Sequence, residues 1–397
     1  MPSTEGLHDD ALRGRRRLPR AGVMVLIGTH LLAAIVGGLV VCRTPGGRAV
    51  QPVVHRWGPE TLPDPRLTPS LDYDWARLPP PEFPIPSYAR FLRGVVIVLD
   101  PGHGGMRPNR RRELVDPNRG PNGVREAEVN LTVALYLREF LESAGATVQL
   151  TRERDEYLQE NVQRDLAARV HLANRVKADL FISIHHNAAA NPQTNYSLVF
   201  FHDDGEERPA SLCAARYLIT GLNDALRLET HVDCAIRSDF VSHPEEGYAV
   251  LRQAEVPAVL VESSFHTNPE EADRLLDQIY NRREAYGLFL GLARWAQAGL
   301  PSAMVMRSED GANAGVTLVQ LDDGLIGRGL SGPKMRTIRE HTLRVRVDGK
   351  PVEYTYLSAE KRLRLPFPPA ALRGRTLFVD FENLFGQHVL HPELTVP

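Results

Sequence analysis

The sequence predicts an α/β protein: an open, doubly wound, mainly parallel sheet with helices on both faces, a membrane-spanning helix before it, and a small antiparallel β-sandwich of immunoglobulin-like style after it. Three observations carry this. Short β-branched runs alternate with helical stripes from residue 94 to residue 297. Beyond about residue 302 the pattern changes to short two-residue alternation with turn signals. Near the N-terminus, residues 21–41 carry no charge at all.

That apolar run has 21 residues, enough for about 31 Å of helix, one hydrocarbon thickness. Arg13, Arg15, Arg16, Arg17 and Arg20 precede it, and only Arg43 and Arg48 soon follow. The asymmetry keeps residues 1–20 cytoplasmic and sends the rest of the chain outward. The expected reading is a signal anchor over residues 21–42, leaving the chain tethered to the inner membrane with its main body in the periplasm. A cleaved export signal, which would release the protein from the cell, is the rival. Residues 43–92 are dense in proline and lack a sustained period, so they read as an extended linker.

The alternating part begins at residues 95–100 (VVIVLD), a run suited to a strand buried on both faces. A helix over residues 126–143 follows, with Val129, Val133, Leu137 and Leu141 on one stripe and Gly145 past its end. Residues 147–151 form the next strand. Val162, Leu166 and Val170 mark a second helix, and residues 180–185 and 196–202 two further strands. A helix with Leu212, Leu218, Leu222 and Leu226 comes next, then a strand at residues 257–262. Asn268 and Pro269 open a long final helix, with Glu270 and Glu271 suited to its positive end. After residue 302, residues 341–347 alternate before an Asp348-Gly349 turn, and residues 362–365 and 376–381 continue the short-strand style. This last unit, residues 301–397, reads either as a wall- or protein-binding module or as a packing appendage on the unit spanning 93–300.

Composition narrows the function classes. Lys and Arg number 47 against 49 Asp and Glu, a net charge of −2, so there is no basic field for nucleic acid. The three cysteines, Cys42, Cys213 and Cys234, exclude a disulfide-dense scaffold. Cys213 and Cys234 either pair or leave Cys213 as a plain buried helix residue. No GxSxG elbow occurs, and no cysteine sits at a strand end with a partnered histidine, which leaves nucleophilic catalysis without support.

The polar residues are more telling. His103 follows the first strand, His185 closes the third, Glu262 closes the last clear one, and Glu126 opens a helix. Ligands of open α/β sheets gather beyond the carboxyl ends of the strands. Two imidazoles with one carboxylate make a three-ligand zinc set with an open fourth position, and a second carboxylate beside it can act as base. The competing account makes His103 and His185 ordinary loop residues and pairs Glu262 with an arginine.

The blocks VVIVLDPGHGG, GVREAEVNL, TVQLTRERD, ARVHLANRVKADLFISIHHNA and VPAVLVESSFHTNPEEADRL together resemble the zinc-dependent N-acetylmuramoyl-L-alanine amidases of bacterial cell walls. The resemblance implies one zinc ion held by His103, Glu126 and His185, with Glu262 as the catalytic glutamate. It implies peptidoglycan as substrate and hydrolysis of the amide between the lactyl group of N-acetylmuramic acid and L-alanine, by zinc-activated water with Glu262 as base and acid. No activating protein partner is named by the sequence. A silent wall-binding scaffold and a zinc peptidase acting within the stem peptide are the alternatives.

Three features depart from the simple pattern. The loop between His103 and Glu126 has 22 residues, is rich in arginine (Arg107, Arg110, Arg111, Arg112, Arg119, Arg125), and contains Glu113 as a rival ligand. His186 adjoins His185, and neighbours in a strand face opposite ways. His266 stands four positions after Glu262 with a structural or a substrate-facing role. The 76 residues between His185 and Glu262 resemble the span of relatives without an autoinhibitory helix, so the resemblance implies a site not occluded by one.

Overall fold

The computed structural model describes residues 83–105, 118–202, 208–228, 232, 234–306, 315–328 and 336–396. The expected membrane helix at 21–42 and most of the linker lie outside them. Among the described residues no helix is long and apolar enough to cross a membrane.

The first part runs β1 (Val96–Pro101), α1 (Glu126–Ser143), β2 (Thr147–Leu150), α2 (Val162–Val176), β3 (Leu180–Asn187), β4 (Leu198–Phe201), α3 (Pro209–Leu226), β5 (Ile236–Ser238), α4 (Ala249–Arg252), β6 (Ala258–Phe265), α5 (Pro269–Leu275) and α6 (Gln278–Gln297). Its six strands form one sheet in the order β2-β1-β3-β6-β4-β5. All neighbours are parallel except β4 and β6. Strand β4 follows β3 without an intervening helix, and a parallel return needs such a crossover.

Strict alternation assigns the two faces. Ile97, Leu99, Leu180, Ile182, Ile184, Val259 and Val261 share a core with α1, α3 and α6. Val98, Phe181, Ala258 and Leu260 share the other with α2 and α4. The chain passes from β1 to β2 on one side and from β2 over to β3 on the other, so the winding reverses between β1 and β3.

Several elements carry the features expected of them. Helix α1 keeps both expected limits, and Gly145 adopts φ +90° just past its end. Asn268 accepts from the Glu271 N–H at 2.9 Å and so caps α5. The expected long final helix is instead two. Asp277 accepts from the Ile279 N–H at 2.8 Å, and this second cap starts α6 afresh. Strand β5 was not foreseen, and its three residues are too few to show a period.

The end of the proline-rich stretch is also not free. Tyr88, Ala89 and Leu92 are fully buried, and the Phe83 ring packs 5.1 Å from Tyr286 and 6.0 Å from Phe140. Aromatic burial here outweighs the loss of chain entropy.

Helices α3 and α6 cross through glycine. A Cβ on Gly221 would stand 2.1 Å from the Gly287 carbonyl oxygen, and one on Gly291 2.5 Å from that of Tyr217. We expect Gly221→Ala to cost about 1–3 kcal/mol, the usual penalty for overpacking. Urea unfolding of the full chain measures it, and an unchanged midpoint would contradict the packing argument.

The second part runs β7 (Ser302–Val305), β8 (Thr317–Asp322), β9 (Arg344–Val347), β10 (Lys350–Pro351), β11 (Thr355–Leu357), β12 (Arg362–Leu365), α7 (Pro369–Leu372), β13 (Leu377–Asp380) and β14 (Glu393–Leu394). Two four-stranded antiparallel sheets, β10-β9-β13-β14 and β11-β12-β8-β7, enclose a core that includes Val319, Val345, Leu363, Val379 and Phe381. Asp348 and Gly349 both take positive φ in the β9–β10 turn. This part packs against the end of α6. Arg328 donates to the carbonyls of Ala296 and Gln297 and lies 4.0 Å over the Phe91 ring. Asn383 donates to Ala298 at 2.9 Å.

Cys213 is a free thiol buried on α3, so the pairing with Cys234 is not formed. Its Sγ donates to the Gly386 carbonyl at 3.3 Å, and burial pushes its pKa up to about 11.

Candidate metal centre

The site lies where the winding reverses, toward the carboxyl ends of β1, β3 and β6; His185 and Glu262 do not close their strands as expected, since β3 continues to Asn187 and β6 to Phe265. His103 sits two residues past β1 with φ +60°, a conformation uncommon for a residue with a side chain. Two buried arginines hold the loop in that shape. Arg169 donates to the carbonyls of Pro101 and His103 at 2.9 and 2.7 Å. Arg152 donates to those of Pro101 and Gly102 at 2.8 and 2.9 Å. Arg169 is anchored in turn by Asp100 at 2.8 Å and Asp165 at 2.7 Å. Gly102 has no room for a side chain, since an added Cβ would stand 2.1 Å from the His185 ring.

His103, Glu126 and His185 come together. Their donor atoms lie within 4.8 Å of one another. His103 Nε2 is 3.1 Å from Glu126 Oε2, and His185 Nδ1 is 3.0 Å from Glu126 Oε1. Burial works against charge on Glu126, but hydrogen bonds and charge from the two imidazoles outweigh it and hold the carboxyl well below its usual range. Burial also lowers the pKa of His185, favouring the neutral imidazole that ligates metals. Two imidazoles and one carboxylate, convergent and largely desolvated, fit a divalent metal ion with an open position.

Glu262 belongs to the same site. It is the register partner of His185 on the neighbouring parallel strand, so both side chains leave the same face of the sheet. It is only 8% exposed, and its Oε2 has no hydrogen-bond partner among the described residues. Burial, and then the Glu126 carboxylate, push its pKa well above the usual range. No arginine neutralises it, so the structural ion pair that competed with a functional role is not present among the described residues.

His186 does not join the donor set. It points to the opposite face and is buried between Asn130 and Glu284, as strand alternation requires. His266 is also buried, with Nε2 3.8 Å from Glu126 Oε2. Glu113 and Arg107, Arg110, Arg111 and Arg112 lie outside the described residues. Arg125 is engaged by Asp155 at 2.6 Å, so it is not a free grip for substrate. In the interval before Glu262, α3 buries Ala214, Leu218 and Leu222 in the core.

Some residues around the site were not singled out from sequence. The Asn118 amide is 3.1 Å from His103 Nε2. Asn130, Arg152 and Arg169 were quoted only as parts of motif blocks.

Comparison with known proteins places these observations. The N-acetylmuramoyl-L-alanine amidase (Amidase_3) family model matches residues 97–294. The probable cell wall amidase LytH of Staphylococcus epidermidis is 30% identical over 205 residues, 51% of this chain and 59% of that protein. The present chain thus spans little more than half the length of that relative. A solved structure, the N-acetylmuramoyl-L-alanine amidase AmiC2 of Nostoc punctiforme, is 27% identical, with 50% of this chain and 94% of that one covered and a TM-score of 0.40. The N-acetylmuramoyl-L-alanine amidase AmiA of Escherichia coli is 32% identical over 216 residues, 46% of this chain and 68% of the relative. With that relative matched over more than two thirds of its length, this chain belongs to the N-acetylmuramoyl-L-alanine amidase family.

Proposed function

We propose that the protein is a zinc-dependent peptidoglycan amidase that hydrolyses the amide between the lactyl group of N-acetylmuramic acid and L-alanine of the stem peptide. The observation that carries this is the convergence of His103, Glu126 and His185 within 4.8 Å, with the buried Glu262 on the strand beside them. The names of LytH and AmiA support the same bond class.

In this reading His103, Glu126 and His185 hold the ion. When bound, zinc supplies a Lewis acid that polarises the scissile carbonyl and acidifies water. Glu262 takes the proton from the attacking water and returns it to the departing amine of alanine. Its Oε2, which has no hydrogen-bond partner among the described residues, is the oxygen assigned to that exchange. Gly102 and Gly104 beside His103 let the loop pack closely, since an added Cβ would meet the His185 ring at 2.1 Å and the Glu156 backbone at 2.5 Å.

The reading extends to the whole chain. Residues 93–300 are assigned the catalysis and residues 301–397 an accessory role. Residues 21–42, with the arginines before them, are assigned to anchoring in the inner membrane, which leaves the catalytic unit in the cell envelope outside the cytoplasm.

Incubation of the full chain with peptidoglycan, followed by mass analysis, tests the bond. The expected result is free stem peptides and intact glycan with bare lactyl groups. Cleavage inside the stems would instead favour a peptidase, and no release a silent wall-binding scaffold.

A further inference from the structure

Behind the donor set, on the face covered by α1 and α6, lies a second polar cluster. Asn130 and Glu284 are fully buried and His186 is 1% exposed. Asn130 is one helical turn after Glu126, and its amide nitrogen is 3.3 Å from Glu126 Oε1 and 3.4 Å from the Gly102 carbonyl. Both partners are acceptors, so the Asn130 oxygen faces the other way. There it meets His186 Nδ1 at 2.8 Å. His186 Nε2 lies 3.0 Å from Glu284 Oε2, and the His186 backbone N–H donates to Glu126 Oε1 at 3.2 Å.

The Asn130 oxygen accepts from His186 Nδ1, and His186 Nε2 and Glu284 Oε2 share a hydrogen bond, so a buried histidine–glutamate pair backs the amide. Such a pair is costly in a core, where apolar side chains of similar volume often serve as well or better. The cost is raised by Glu284 Oε1, which is buried without a hydrogen-bond partner among the described residues. In return, Glu126 Oε1 receives the Asn130 amide and the His186 backbone N–H beside its contact with His185 Nδ1 at 3.0 Å, while Oε2 is turned toward His103, 3.1 Å away. We propose that Glu284, acting through His186 and Asn130, is a positioning residue that fixes the rotation of the Glu126 carboxylate for metal binding. The proposal rests on the metal reading given above.

Zinc affinity of the purified full chain, by chelator competition, tests it together with the absorption spectrum of the cobalt-substituted protein. Glu284→Gln and Asn130→Ala are each expected to weaken zinc binding by about 10–100-fold, the range for partners that orient a ligand. Each is also expected to alter the cobalt bands. Because both act through one chain, the double variant should bind no more weakly than Asn130→Ala alone. The double replacement His186→Leu with Glu284→Leu leaves no unpaired charge, so it should fold by circular dichroism and still lose affinity. Unchanged zinc affinity and cobalt spectrum in folded Glu284→Gln, or in the double leucine variant, would overturn the positioning role. So would strictly additive losses. A parent chain that takes up no zinc, and behaves like His103→Ala, would overturn the metal reading itself.

Discussion

Glu262→Gln is expected to keep the metal and lose turnover by about 10²–10⁴-fold, the usual contribution of a positioned acid–base group. His103→Ala is expected to lose both. The contrast follows from where the two residues stand. His103 is one of three donors within 4.8 Å, and a three-ligand site loses much of its hold when an imidazole is removed. Glu262 is outside that set, on the adjacent strand. Glutamine there keeps the shape of the side chain but cannot take up and return a proton. Metal content per chain and release of stem peptide are the two measurements. Equal metal loss in both variants would show that Glu262 is itself a ligand, and near-parental turnover in Glu262→Gln would remove it from the chemistry.

Arg169→Ala should be the most damaging single change to stability, at about 3–5 kcal/mol, the cost of breaking a buried ion pair by removing one partner. The guanidinium is 2% exposed and joins Asp100 and Asp165 to the carbonyls of Pro101 and His103. Its loss leaves two acids uncompensated and releases the loop that carries His103. The pH dependence gives a second check. Burial works against charge on Asp100, but Arg169, with hydrogen bonds from Thr151 and Ser183, outweighs burial and depresses its pKa. In the parent, that contribution is fully present above the ordinary aspartate range and is lost as pH falls through the lower folded value. Without Arg169, burial dominates and the sign reverses, because the neutral acid is then the better buried form. The stability deficit of the variant should therefore narrow on acidification. Denaturant titrations at several pH values measure this, and a deficit that widens toward acid would contradict it.

Much of the site was legible because motif residues carry their own local reasons. Gly102, between β1 and His103, needs to lack a side chain. The acids Glu126 and Glu128 suit the first turn of α1. The adjacent histidines separate by strand alternation alone. Glu284 was not legible. It follows Arg282 and Arg283 in α6 and reads as one more surface charge, and only the tertiary packing reveals that it meets His186. Arg152 and Arg169 were hidden for the same reason, as the loop carbonyls of Gly102 and Pro101 that they hold lie 50 and 68 residues away in sequence.

By itself, the sequence determined the strand–helix alternation, the limits of α1, the cap at Asn268 and the four residues that warranted attention as a site. Those depend on periodicity and capping, which act within a few residues. Tertiary structure alone decided that β4 runs antiparallel, that α5 and α6 are separate, and that residues 83–92 dock on the core. It also decided that Cys213 stays free and that a buried histidine and glutamate stand behind Glu126. Each of these turns on which distant groups share a desolvated space, and the energy of a charge or hydrogen bond there depends on its partner rather than its neighbours in the chain.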